Sequence, residues 1–162
     1  MAEGTDGFSS GDIRIELLRL TDLQPSQFYI SQEKLDRIMQ WFDPKDLRTF
    51  EPISIKMIDG APVMLDGHTR AVAALLAGLD RVPLEWEKEE WDWEMYRRCI
   101  SACRERKIFS PRDLLNRIVS AADYRILWDD WCDEMQKEVD KERKRKENLE
   151  AVIDQNSFGG EE

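Results

Sequence analysis

The chain has 162 residues, the size of one ordinary domain and enough to bury a continuous core. Its 6 Trp, 6 Phe and 6 Met exclude a wholly disordered chain, and 24 Lys plus Arg against 34 Asp plus Glu give a net charge of −10, which disfavours a generic polyanion binder. With no early apolar run flanked by positive charge and no stretch of about 18 apolar residues, the expectation is a soluble cytoplasmic protein without signal peptide or membrane span.

Residues 1–12 are Gly/Ser-rich without periodicity and read as a flexible leader. Ile13, Ile15 and Leu17 alternate with Arg14 and Glu16, the period of a strand. After a loop containing Pro25, Ser31 is placed to cap a helix with apolar positions Leu35, Ile38, Met39 and Phe42, which Asp43-Pro44 ends. A second strand follows with Ile53, Ile55 and Met57 inward. Asp59-Gly60 is a hairpin turn signal, and Val63 and Leu65 continue on the returning strand. The next helix carries Ala71, Val72, Leu75 and Leu76 and stops at Gly78, a left-handed C-terminal residue. Val82, Leu84 and Trp86 then alternate as a short strand, which completes an α/β unit over 13–87.

Residues 88–136 read as a helical extension. A helix carrying Tyr96, Ile100 and Cys103 follows an acidic, Trp-bearing stretch. Ser110-Pro111-Arg112-Asp113 has the form of a capping box with Pro at the first helical position. From there Leu114, Ile118, Ala121, Tyr124, Trp128, Trp131 and Met135 recur at steps of three or four, which predicts one long helix with a buried aromatic stripe. Between Tyr96 and Trp128 eight Lys or Arg stand against three acids, an excess that could touch an anion but more often marks a solvated helix face. Residues 137–162 are charged and read as a fraying helix that ends in a disordered NSFGGEE tail. Cys99, Cys103 and Cys132 lack zinc-finger spacing and read as small core residues.

The chemistry concentrates between Val63 and Pro83. A strand ends at Leu65, Asp66-Gly67 makes a tight turn, and a helix starts within His68 to Arg70. Its first N–H groups have no intrahelical acceptor and lie at the positive end of the helix dipole, which makes a seat for phosphate. His68, Thr69 and Arg70 add a proton donor, a hydroxyl and a fixed cation at the same point.

The string DGHTRAVAALLAGLDRVP resembles the signature of the ParB/sulfiredoxin superfamily, and the likeness extends upstream to Leu23-Gln24-Pro25-Ser26-Gln27 and to Glu51-Pro52-Ile53. The resemblance implies a compact α/β domain with a mixed sheet, followed here by a helical extension. It also implies a nucleotide (ATP, ADP or CTP) with Mg²⁺, whose phosphates are held by Gly67, His68, Thr69 and Arg70. Pro25, Ser26, Gln27, Pro52 and Ile53 would form the substrate or nucleotide loops. Sulfiredoxins place a reactive Cys where this chain has His68, so that activity is not expected. ParB partition proteins show Gly-Glu-Arg-Arg where this chain has Gly67-His68-Thr69-Arg70, and their basic DNA-binding module has no counterpart in so acidic a chain, so specific duplex DNA is not an expected partner.

The free serine kinases are similar at Asp66-Gly67-His68 and Arg70, but their general base, a Glu, falls at Gln27, and an amide cannot take the proton. Glu33, Glu51 and Asp66 are the carboxylates that could replace it, with Asp66 also a ligand for Mg²⁺ and His68 a further catalytic candidate. Two functions stay open. One is phosphoryl transfer to a small hydroxyl compound such as free serine. The other is a non-catalytic, nucleotide-gated interaction module whose helical extension docks a protein partner.

Overall fold

The computed structural model of the chain describes residues 13–159 and has mixed α/β content, in two compact units that divide after Trp128. In the first unit β1 (Ile30–Ser31) leads into α1 (Gln32–Trp41), and the hairpin of β2 (Ile53–Ile58) and β3 (Ala61–Met64) leads into α2 (His68–Leu76). Then come β4 (Leu84–Trp86), α3 (Trp93–Glu105), β5 (Ile118–Val119) and the single turn α4 (Ala121–Tyr124). The second unit is α5 (Asp130–Gly159).

Strand β2 is the centre of the main sheet, antiparallel to β3 with Ile55 opposite Met64, and parallel to β4 with Ile53 opposite Leu84. The hairpin turns where expected, because Asp59 and Gly60 both take positive φ (49° and 84°), the geometry that matches the twist of two antiparallel strands. Alternation along β2 serves two layers. Ile53 and Ile55 join Leu20, Leu23, Phe50, Met64, Ala71 and Ala74 in the larger core cluster. Ile58, on the opposite face, packs with Val63 and with Ile100, Trp93 and Tyr96 of α3. A second, two-stranded parallel sheet pairs Ile30 with Ile118 and Ser31 with Val119.

Several starts and stops follow the local chemistry. Ser31 Oγ accepts the Lys34 N–H at the start of α1, and Gly78 takes φ +83° just beyond α2. Elsewhere tertiary contacts overrule the pattern. Residues 13–18 form no strand: Ile15–Leu17 is a 3₁₀ turn, because Ile15 and Leu18, three apart, are the pair that reaches the core while Leu17 faces solvent. Met57 is only half-buried and Ile58 takes the inward place, since the sheet has a second covered face. On α1 only Leu35 is buried, and Met39 is 47% exposed. On α2 the small Ala73 and Ala74 allow close packing and are buried, whereas Leu76 points outward.

The long helix expected from Ser110 is broken into pieces. The capping box forms, with Ser110 Oγ accepting the Arg112 N–H and Asp113 Oδ2 accepting the Ser110 N–H, but the helix it opens lasts one 3₁₀ turn, Pro111–Leu114. The β-branched Ile118-Val119 pair is then taken by β1, and Ser120 caps a fresh turn. A π turn over Arg125–Asp129 follows. At the far end Asn156–Gly159, expected in the disordered tail, belong to α5, since adding one more residue to an existing helix needs no new nucleus. The leader and residues 160–162 lie outside the described residues.

This packing makes a direct prediction. Ile55→Ala, at a fully buried position of the central strand, should lower the unfolding free energy by about 2 to 5 kcal/mol, whereas Met39→Ala should change it by less than about 0.5 kcal/mol. Urea denaturation of the two variants checks it, and equal losses would contradict the placement of Met39 outside the core.

Candidate functional site

A cleft of about 340 Å³ opens between α1, the turn into α2, Gln27 and Tyr124. Its floor is set by the segment 24–27, which is tied to β3. The Gln24 N–H donates to the Pro62 carbonyl and its own carbonyl accepts the Met64 N–H, both at 2.9 Å. The buried Gln24 amide donates to the carbonyls of Pro25 and Ile108 and accepts Nε of Arg104, so every polar atom of that side chain is used. Ser26 Oγ donates to the Met64 carbonyl at 2.6 Å. With the loop so fixed, Gln27 reaches the cleft, where its amide donates to the Tyr29 carbonyl and to Tyr124 Oη.

The Ser26 N–H donates to Nε2 of His68 at 3.0 Å. A backbone N–H can only donate, so Nε2 must be the bare nitrogen, and the imidazole is the neutral tautomer with its proton on Nδ1. Burial is the main force that pushes the His68 pKa down from 6.5 to about 4; the Asp66 carboxylate opposes it and the Arg70 guanidinium adds to it. His68 is therefore a neutral hydrogen-bonding group near neutral pH, not a cation.

Gly67 caps α2 with φ 80° and ψ 20°, and Asp66 Oδ1 accepts its N–H. A Cβ at Gly67 would lie 2.9 Å from Cγ1 of Ile53 and 3.0 Å from Nη2 of Arg70, so both the left-handed backbone and the close approach require glycine. No side chain caps the helix, and the first internal bond is that of the Ala71 N–H to Gly67. The N–H groups of His68, Thr69 and Arg70 are left without an intrahelical acceptor at the cleft wall.

The structure brings Gln27, Asp66, Gly67, His68, Thr69 and Arg70 together and leaves Glu33 and Glu51 off the cleft wall. Glu33 pairs with Arg37 four residues on, and Glu51 contributes its main-chain carbonyl to Arg70. Arg70 has two roles. Its Nη1 donates to the carbonyls of Glu51 and Pro52 and its Nη2 lies 3.6 Å from Asp66, so it clamps the 51–52 loop to α2 while one edge lines the cleft. Pro25 and Ser26 are buried beneath the wall, and Ile53 packs against Gly67 from the core side.

Four lining residues were not among those the sequence points to: Lys34, Arg37, Ile38 and Tyr124. Lys34 lies 4.6 Å above the Tyr124 ring. The spacing 34, 37, 38 on α1 marks one helical face, but nothing in it says that this face turns toward α2. Three cations thus line the cleft against one carboxylate, Asp66, in a chain of net charge −10. Among the described residues no cluster of three or more His, Cys, Asp or Glu can hold a metal. A lone carboxylate does fit Mg²⁺ that arrives already held by phosphates. The thiols of Cys99 and Cys103 are pushed up to about 11 and about 12 by burial, which agrees with their reading as core residues.

No protein-family model matches the chain, and no curated protein matches it. Among solved structures, protein Atu1540 from Agrobacterium tumefaciens is similar at a TM-score of 0.35 and 12% identity over 64% of this chain, which spans 60% of the length of that protein. A likeness that distant carries no argument here.

The low His68 pKa has a consequence for stability. Above pH 6.5 the residue is neutral in both states, and between 6.5 and about 4 the unfolded chain binds a proton that the folded one refuses. Stability should therefore fall by about 3 kcal/mol across that window on account of His68 alone. In His68→Gln, which can still accept the Ser26 N–H, that part of the acid loss should vanish. Urea unfolding from near-neutral to acid pH reads the difference, and parallel curves for the two proteins would contradict a buried neutral imidazole.

Proposed function

We propose that the cleft binds the phosphates of a nucleotide (ATP, ADP or CTP), and that the chain is a ParB/sulfiredoxin-type protein working in the cytoplasm. One observation carries this: the open first turn of α2 and the side chains of Lys34, Arg37 and Arg70 converge on one cleft of a strongly acidic protein. Orphan N–H groups favour an anion, and the surrounding negative surface makes a local positive cleft the selective place for it. Its volume falls at the small end of ligand sites, about 300 to 1,000 Å³. Mg²⁺ would be held by Asp66 together with the nucleotide's own phosphates, and it would neutralise charge that develops on the transferred group.

As an enzyme, the chain would transfer a phosphoryl group to a small hydroxyl compound such as free serine, a reaction that rests on positioning and charge neutralisation. Asp66 is the carboxylate on the cleft wall, so it is the residue in this proposal that takes the acceptor's proton or holds Mg²⁺. His68 contributes its Nδ1–H as a neutral donor, with Nε2 already engaged. A second reading is supported by Gln27, whose amide is held between Tyr29 and Tyr124 where the serine kinases carry a Glu. On that reading the nucleotide gates a protein partner and nothing is transferred. Duplex DNA stays outside both, because a net charge of −10 opposes the phosphate contacts that give non-specific affinity.

Calorimetry with the four nucleoside triphosphates and ADP in Mg²⁺ tests the binding. Lys34→Ala and Arg37→Ala should each weaken the best ligand by about tenfold, the loss of one charge-assisted contact, with the fold intact because both side chains lie on the solvent side of α1. If Asp66 is the general base of a transferase, Asp66→Asn should leave affinity nearly unchanged and lower turnover by about a hundredfold to ten-thousandfold; if it holds Mg²⁺, affinity in Mg²⁺ should fall as well. Absence of nucleotide binding would overturn the proposal; binding without turnover on any hydroxyl acceptor would leave the gated module.

A further inference from the structure

Four cations of the basic segment between Tyr96 and Trp128 share one cleft. Arg106, Lys107, Arg112 and Arg117 line a second cleft of about 320 Å³ at the C-terminal end of α3, together with Ile108, Leu115, Asn116 and the carboxylate of Asp113. That carboxylate is already engaged as a cap, accepting the N–H groups of Phe109 at 2.8 Å and Ser110 at 3.1 Å. Neither Lys107 nor Arg112 has a carboxylate partner among the described residues.

Two of the four cations are held in fixed orientations. Arg106 stacks with its guanidinium carbon 4.0 Å from the Phe28 ring centroid and donates from Nη1 to the Ala102 carbonyl. Arg117 lies 4.3 Å over the Tyr29 ring and donates from Nε to the Phe28 carbonyl at 2.6 Å. Each guanidinium is thereby ordered before a ligand arrives, which lowers the entropy lost on binding. Lys107 sits at φ +62°, a left-handed position unusual for a lysine, where it ends α3 beside the cleft.

We propose that this second cleft binds a small molecule bearing two or more adjacent phosphate groups, at a site separate from the cleft at Asp66–Arg70. Four cations against one engaged carboxylate call for a multiply charged anion. Size and surroundings favour a small one: beyond the cleft a long polyanion would run over the surface of a chain of net charge −10, where repulsion within a Debye length of about 8 to 10 Å opposes it. The assignment stands whether or not the first cleft binds a nucleotide.

Inorganic tripolyphosphate is the probe, followed by ¹H–¹⁵N NMR on the full chain so that the two clefts report separately. Saturable shifts are expected at the amides of Lys107, Phe109 and Arg117. In Lys107→Gly with Arg112→Ala, affinity read at those amides should fall by about a hundredfold, tenfold for each lost charged contact, while any shifts at Gly67 to Arg70 keep their affinity. Glycine suits the left-handed backbone at 107 and Arg112 is exposed, so the variant keeps its fold. Unshifted amides in the wild type, or undiminished affinity in the variant, would overturn the proposal. A short single-stranded oligonucleotide that bound far more tightly through the same residues would overturn the small-ligand assignment in favour of a nucleic-acid surface.

Discussion

A single hydrogen bond, from the Ser26 N–H to Nε2 of His68, holds the candidate site in register. It joins the loop 24–27 to the first turn of α2, two segments far apart in sequence. It works only with a neutral imidazole, because a protonated ring would present a second donor to the Ser26 N–H. Burial supplies that neutrality. Around it the rest of the wall is assembled: Gln27 emerges toward Tyr124, Gly67 fits against Ile53, and Arg70 reaches back to the carbonyls of the 51–52 loop. The main sheet supports this arrangement, since Met64 of β3 accepts Ser26 Oγ and donates to Gln24.

The segment 27–29 stands between two basic clefts. Gln27 faces the first, while the rings of Phe28 and Tyr29 and the Phe28 carbonyl order the arginines of the second. Both clefts gather cations on an acidic chain, which is the arrangement that the two proposed anion sites rest on. Neither is visible as net charge, because that sum averages the two groups of cations with the acids around them.

Where local chemistry decides the backbone, the sequence is legible. Ser31 caps, Asp59-Gly60 turns, Gly78 ends a helix, and Asp66-Gly67 before His68 forms the open helix start, each because a short-range steric or hydrogen-bonding rule suffices. Where two segments compete for one partner it is not. Ile118 and Val119 fit a helical stripe as well as a strand, and only the presence of Ile30 decides between them. The box at Ser110 marks a start without fixing a length. Residue type also understates dual roles: Arg70 belongs to the first turn of α2 by sequence, yet its Nη1 serves carbonyls of another loop. Lys34, Arg37 and Tyr124 join the site through the packing of α1 and α4, which leaves no mark in the spacing of either segment.

The most direct measurement is ¹⁵N NMR of the His68 imidazole, which is the lone histidine of the chain and so gives unambiguous signals. Near neutral pH the structure requires the neutral Nδ1–H tautomer, with Nε2 as a bare, hydrogen-bonded nitrogen, and no titration until the pH nears about 4. A proton on Nε2, or a titration midpoint near the ordinary 6.5, would contradict the bond on which the site is built.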